Sequence, residues 1–128
     1  MRDLKSGVGY AATISPAAAR TATVTGTGVD LQGYEGVAVV FLSGTITDGT
    51  HTPKVQESSD NSTFTDVAST DLLGTLSALT SSADVRVGYI GIKRYIRAVV
   101  TVTGSPATGG FYDAFVALGY GSDQPVVT

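Results

Sequence analysis

The chain of 128 residues contains no cysteine. That absence removes disulfide frameworks, thiolate metal sites and cysteine nucleophiles together, and leaves stability to packing and association. Charge is scarce too: Asp, Glu, Lys and Arg make up 15% of the sequence, against about 25% in an average soluble domain. The net charge is -3, from 11 acidic and 8 basic residues, so no global positive field draws the chain onto nucleic acid. No stretch approaches the roughly 18 apolar residues of a membrane helix. The opening, Met1 to Ser6, carries Arg2, Asp3 and Lys5 with no apolar segment behind them, which predicts a soluble protein made in the cytoplasm.

What is present is threonine and glycine, with 16 of the latter, at a mean hydropathy of +0.20. Low charge combined with turn formers predicts short strands, tight turns and substantial contact with other chains. The length suits one domain around one core.

Met1 to Arg20 has no sustained period of either kind and includes the run Ala17, Ala18, Ala19 behind Pro16. It reads as an extended N-terminal arm over 1–20, either laid across a neighbouring subunit or disordered. The remainder, 21–128, reads as a single β domain. Strands are expected near Thr21 to Thr25, Gly36 to Gly44, Lys54 to Ser58, Thr63 to Ala68, Asp84 to Ile90, Tyr95 to Thr103 and Phe111 to Gly119. In Tyr95 to Thr103, alternation puts Ile96, Ala98, Val100 and Val102 on a core face. The Phe111 strand and the run Val37 to Leu42 carry apolar groups on both faces, which predicts burial or a covering partner. Ser59, Asp60, Asn61 and Ser62 predict a hairpin turn. Leu72 to Leu79 is read as one helical turn or a long loop. The fold class expected is all-β: an antiparallel β-sandwich, jelly-roll-like or Ig-like.

Chemistry finds little to work with. His51 is the one histidine, with no Gly-x-Ser-x-Gly elbow to pair with it, so it is expected at the surface or an interface and not in catalysis. With one His and no Cys only an oxygen-rich cation site is open. The best cluster, Asp60, Asn61, Ser62 and Asp66, lacks the loop spacing and closing Glu of a calcium site and suits turn formation better. Asp48 and Gly49 form another turn pair. Gly7, Gly9, Gly26 and Gly28 precede no helix that would cradle a phosphate. The expectation is no enzyme, no cofactor and no metal.

Four stretches carry a resemblance: MRDLKSGVGYAATISPA at the start, GTGVDLQGYEG from Gly26, TDGTHTPKVQESSDNSTFTDV from Thr47, and VGYIGIKRYIR from Val87. Together these cover about half of the chain, and in this order they resemble the head decoration, or minor capsid, proteins of tailed bacteriophages and prophages. The resemblance implies a virion structural protein at the capsid surface, binding and stabilising the lattice of major capsid protein as a homo-oligomer, with a trimer favoured. It brings no catalytic residues with it. The alternatives are a virion-displayed carbohydrate- or receptor-binding module, using exposed tyrosines such as Tyr10, Tyr34, Tyr89 or Tyr120, and a tail or baseplate domain.

The densest charge group is Arg86, Lys93, Arg94 and Arg97, with Tyr89 and Tyr95 among it. Arg and Tyr are the residue types that anchor interfaces. The group reads as an anchor patch for an acidic capsid surface, as a weak nucleic-acid or glycan platform, or as a solvated hairpin end. Alternation turns Arg97 away from the core and leaves Arg94 at the mouth of the strand.

Overall fold

A computed structural model of the chain describes residues 8–15 and 19–121. The strands are β1 (Val8–Ile14), β2 (Val24–Thr25), β3 (Val29–Asp30), β4 (Tyr34–Ile46), β5 (Thr50–Ser58), β6 (Thr65–Asp66), β7 (Leu72–Leu73), β8 (Asp84–Tyr89), β9 (Tyr95–Thr103) and β10 (Gly110–Gly121). All pairings are antiparallel. One sheet has the order β1-β10-β4-β8-β7, the other β2-β9-β5-β6 with β3 also on β9. The chain is therefore an all-β sandwich, and no helix among the described residues is long and apolar enough to cross a membrane.

Alternation builds the core. Strand β9 has the expected bounds, and Ile96, Ala98 and Val100 are buried on its inner face. They meet Val39 and Phe41 of β4 and Tyr112, Ala114, Val116 and Leu118 of β10 in one cluster between the sheets. The outward residues of β10, Asp113, Phe115 and Ala117, are half-buried and Phe111 is exposed. The two-sided apolar pattern read from this strand thus has one side in the core and one side on the surface.

Strand β5 begins at Thr50, four residues before the expected start, and runs through Pro53. The carbonyls of His51 and Val55 accept hydrogen bonds from Leu79 N and Val67 N, outside the pairing with β9. Pro53 lies between them in the same phase, while β6 pairs only with Gln56 and Glu57. Its missing N–H thus faces an open edge, where proline is tolerated.

One expectation is corrected and one is narrowed. The segment Val8–Ile14 is not an arm that needs another chain: it is strand β1, paired with β10 from Val8↔Gly119 to Ile14↔Ala114. Small inward residues allow it to lie close to the opposite sheet. Thr13 is buried, its hydroxyl donating to Thr27 O at 2.7 Å and accepting from Ala98 N at 3.1 Å. Residues 1–7 and 16–18 of the expected arm lie outside the described residues. Of the two readings of Leu72 to Leu79, the long loop holds after Leu73, and the helical turn does not form there: a 3-10 turn stands just before, at Ser69–Asp71. Leu72 and Leu73 then pair with β8, and Leu76 and buried Leu79 pack on the core from a loop.

The hairpin at Ser59 to Ser62 forms as read, with Asn61 at φ 59°. The Asp60 carboxylate accepts from Ser58 Oγ, Ser62 N and Thr63 N at 2.8–3.0 Å. Asp48 accepts instead from the amides of Ala107, Thr108 and Gly109, so it ties two loops together. No group of three His, Cys, Asp or Glu that could hold a metal occurs among the described residues.

Candidate interface at the basic end of the sandwich

The loop between β8 and β9, residues 90–94, projects from one end of the sandwich. Two bracing contacts shape it. The Tyr89 hydroxyl donates to Glu57 Oε1 at 2.7 Å and accepts from Lys93 N at 3.1 Å, so a buried side chain holds the loop's backbone. Burial, and then the Glu57 carboxylate, push the Tyr89 phenol well above its ordinary range, which keeps it a neutral donor. On the far side of the loop, Leu31 N donates to Arg94 O at 2.8 Å.

The residues of the basic group are not all together. Arg94 is clamped in place: its Nε and Nη2 donate to Asp30 Oδ1 and Oδ2 at 2.9 and 2.8 Å, and its guanidinium stands 5.1 Å from the centroid of the half-buried Tyr95 ring. The Arg94 hydrogen bond is the main reason that the Asp30 carboxyl lies below its ordinary range. Much of the Arg94 charge is therefore met within the chain. Arg97 does turn away from the core, onto the outer face of the second sheet, with its guanidinium 4.0 Å from the Phe64 centroid. Its Nε donates to Gln56, Gln56 donates to Asp66, and Lys54 pairs with Asp66 at 3.2 Å. Arg86 lies on the opposite sheet, exposed and outward, paired in register with Val40. Tyr89 belongs to the core. Of the basic side chains, Lys93 and Arg94 remain at the loop.

Sequence reasoning did not single out the apolar side chains of this loop. Ile92 is 95% exposed and Ile90 is exposed beside it. They border an open groove of about 570 Å³ between the loop and the turn of residues 31–35, with Leu31, Tyr34 and Val37 in its wall and Glu35 and Lys93 at its rim. The signal was available: two β-branched residues flank Gly91 in a connection whose turn chemistry has no need of them.

His51 is not at the surface. It is 0% exposed on the inner face of β5, and its ring nitrogens contact Tyr112 Oη at 3.1 Å and Asp48 O at 3.0 Å. The inward phase that buries Val55 buries His51 as well. Both ring nitrogens are engaged inside the fold.

No family model, curated protein or solved structure matches the chain.

Proposed function

We propose that the chain is a non-enzymatic structural subunit of a tailed-bacteriophage head, which decorates the capsid surface and binds the lattice of major capsid protein through the loop 90–94. The observation that carries this reading is Ile92, almost fully exposed on a loop that Tyr89 and Leu31 hold in shape. A branched apolar side chain held out in water is stabilised when a partner pocket covers it, and a fixed loop loses little entropy on docking. Lys93 beside it favours an acidic partner rim. The four stretches that resemble head decoration proteins supply the identity of the partner. Binding restricted to the assembled lattice stabilises that lattice by mass action, more so where several copies engage at once.

A carbohydrate-binding module draws less support. Among the described side chains Tyr10 is exposed, Tyr34 and Tyr95 are half-buried, and Tyr89 and Tyr112 lie in the core. These do not form a shared exposed platform. The test is co-sedimentation with empty capsids. Ile92→Asp is expected to abolish attachment and Lys93→Ala to weaken it, with thermal melts like the wild type. Undiminished attachment of both variants overturns the assignment to this loop. No attachment of the wild type to any empty capsid overturns the capsid role.

A further inference from the structure

The outer face of the β1-β10-β4-β8-β7 sheet is mostly apolar, and no other element among the described residues packs over it. Register sets Ala12, Phe115, Val40 and Arg86 in one row across it, and Asp113, Leu42 and Asp84 in the next. Tyr10 is 70% and Leu73 62% exposed on the row beyond. With strands about 4.8 Å apart and same-face residues about 6.8 Å apart, this surface covers on the order of 400 Å². A patch of that size is within the range of the largest one on a typical monomer, about 300–600 Å², where function often sits.

Among the described residues, three charges on this face lack an ion partner: Asp113, Arg86 and, two residues before Arg86 on the same strand, Asp84. Asp113 Oδ1 is shielded from solvent with no hydrogen-bond donor. The ion pairs among the described residues are Lys54–Asp66 and Arg94–Asp30. A shielded carboxylate oxygen without a donor is costly until one arrives. Beside Asp113 lies an open hollow of about 420 Å³ walled by Tyr10, Ala12, Ile14 and Phe115. An apolar hollow with a carboxylate at its side fits an arginine, whose stem packs on the walls while its guanidinium meets the acid.

We propose that this face pairs with the same face of a second copy of the chain. Arg86 and Asp113 lie on the strands either side of β4, level with Val40 and Leu42 respectively. A twofold axis in the plane between two stacked faces, crossing β4 between those two residues, exchanges the two positions. Each Arg86 then enters the hollow beside the other copy's Asp113, and both contacts form at once, as an isologous interface requires. A pair is the closed unit, not the ring of three that the resemblance implies. The patch is about half the roughly 800 Å² per partner of a stable complex, so the pair is expected to be weak and reversible. This inference does not rest on capsid binding and is tested on the isolated chain.

Sedimentation of the wild type across the micromolar range is expected to show monomer and dimer. Arg86→Glu and Asp113→Lys each replace an attraction by a repulsion at both symmetric contacts, and each weakens the dimer by more than about tenfold. Mixing the two variants restores dimer. In the mixed pair the two substituted side chains meet at one contact as acid and base in exchanged places, and the native Asp113 meets the native Arg86 at the other. Should Asp113→Lys fail to fold, Leu42→Lys, at an exposed outward position, serves as the second variant and is expected to be monomeric. A wild type that stays monomeric or forms a trimer overturns the proposal. So does a mixture of the two charge-reversal variants, both folded, that shows no dimer, or a Leu42→Lys dimer as tight as the wild type.

Discussion

His51 Nδ1 and Tyr112 Oη meet at 3.1 Å in the core, so a side-chain hydrogen bond joins β5 of one sheet to β10 of the other. The other ring nitrogen faces the Asp48 carbonyl at 3.0 Å. A carbonyl only accepts, which assigns the proton to Nε2 and makes Nδ1 the acceptor of the Tyr112 hydroxyl. Burial pushes the Tyr112 phenol up to about 12, so it stays a donor across the neutral range. Tyr112→Phe strands a buried acceptor and is expected to cost about 1–2 kcal/mol. His51→Ala also opens a cavity and is expected to cost about 3–4 kcal/mol. Urea midpoints of the two variants measure both.

Acid stability depends on Asp60. Backbone amides of Thr63 and Ser62, and the Ser58 hydroxyl, hold its carboxyl at about 2 against an ordinary 3.8. A depressed value in the folded state means that the ionised form favours folding. The contribution is complete above the unfolded value and disappears as the pH falls through about 2. Asp60→Ala is therefore expected to melt below the wild type at neutral pH, with the gap closing as the pH drops from the unfolded value toward the folded one. Melting curves at stepped pH read this directly. A gap that stays constant over that window assigns the effect of the variant to lost turn geometry and not to the charge.

The second sheet's outer face and the loop end differ in how their arginines are held. The Arg94–Asp30 pair is bidentate but nearly half exposed on both sides, so Arg94→Ala is expected to lower the melting temperature slightly, and less at high salt. Arg97 is half-buried against Phe64 and Gln56. Arg97→Ala is expected to cost about 1 kcal/mol with little salt dependence, because stacking and a neutral acceptor hold it. Melts at low and high salt separate the two.

The strand pattern was most legible where β-branched residues alternate. Tyr95–Thr103 has the predicted bounds, and Ile96, Ala98 and Val100 of its predicted inward set are in the observed core, while Val102 is only half-buried. Legibility failed at Val8–Ile14, where Gly and Ala carry weak strand signals and what holds the strand is pairing with a segment about a hundred residues away, Gly119 to Ala114. It failed again at His51. The strand was expected to begin only at Lys54, which left His51 in a turn; it begins at Thr50. Although the Asp48 carbonyl is local, the Tyr112 hydroxyl that completes its burial comes from a strand about sixty positions away. At the basic end, composition located the charges and could not separate them. Arg86 and Arg97 lie eleven positions apart in sequence and on different sheets, a division that appears only once strand order is known.

Two glycines test the backbone in opposite directions. Gly109 has φ +79°, and a Cβ there would stand 1.9 Å from the Arg20 carbonyl oxygen. That carbonyl accepts from Gly110 N, and Arg20 N donates to Gly110 O, so the backbone between the two segments is fixed by reciprocal hydrogen bonds. Gly109→Ala must break these bonds or move the loop that Asp48 also holds, and is expected to cost more than about 3 kcal/mol. Gly119 is a strand residue of β10 with nothing within 4 Å of a built Cβ and no positive φ. Glycine in a strand interior is the less stable choice by roughly 0.5–1 kcal/mol, so Gly119→Ala is expected to raise the melting temperature. Both variants keep the composition of the core unchanged. A Gly109→Ala chain as stable as the wild type would show that the 104–110 loop and residue 20 are not in close contact, leaving the Asp48 hydrogen bonds to hold that loop.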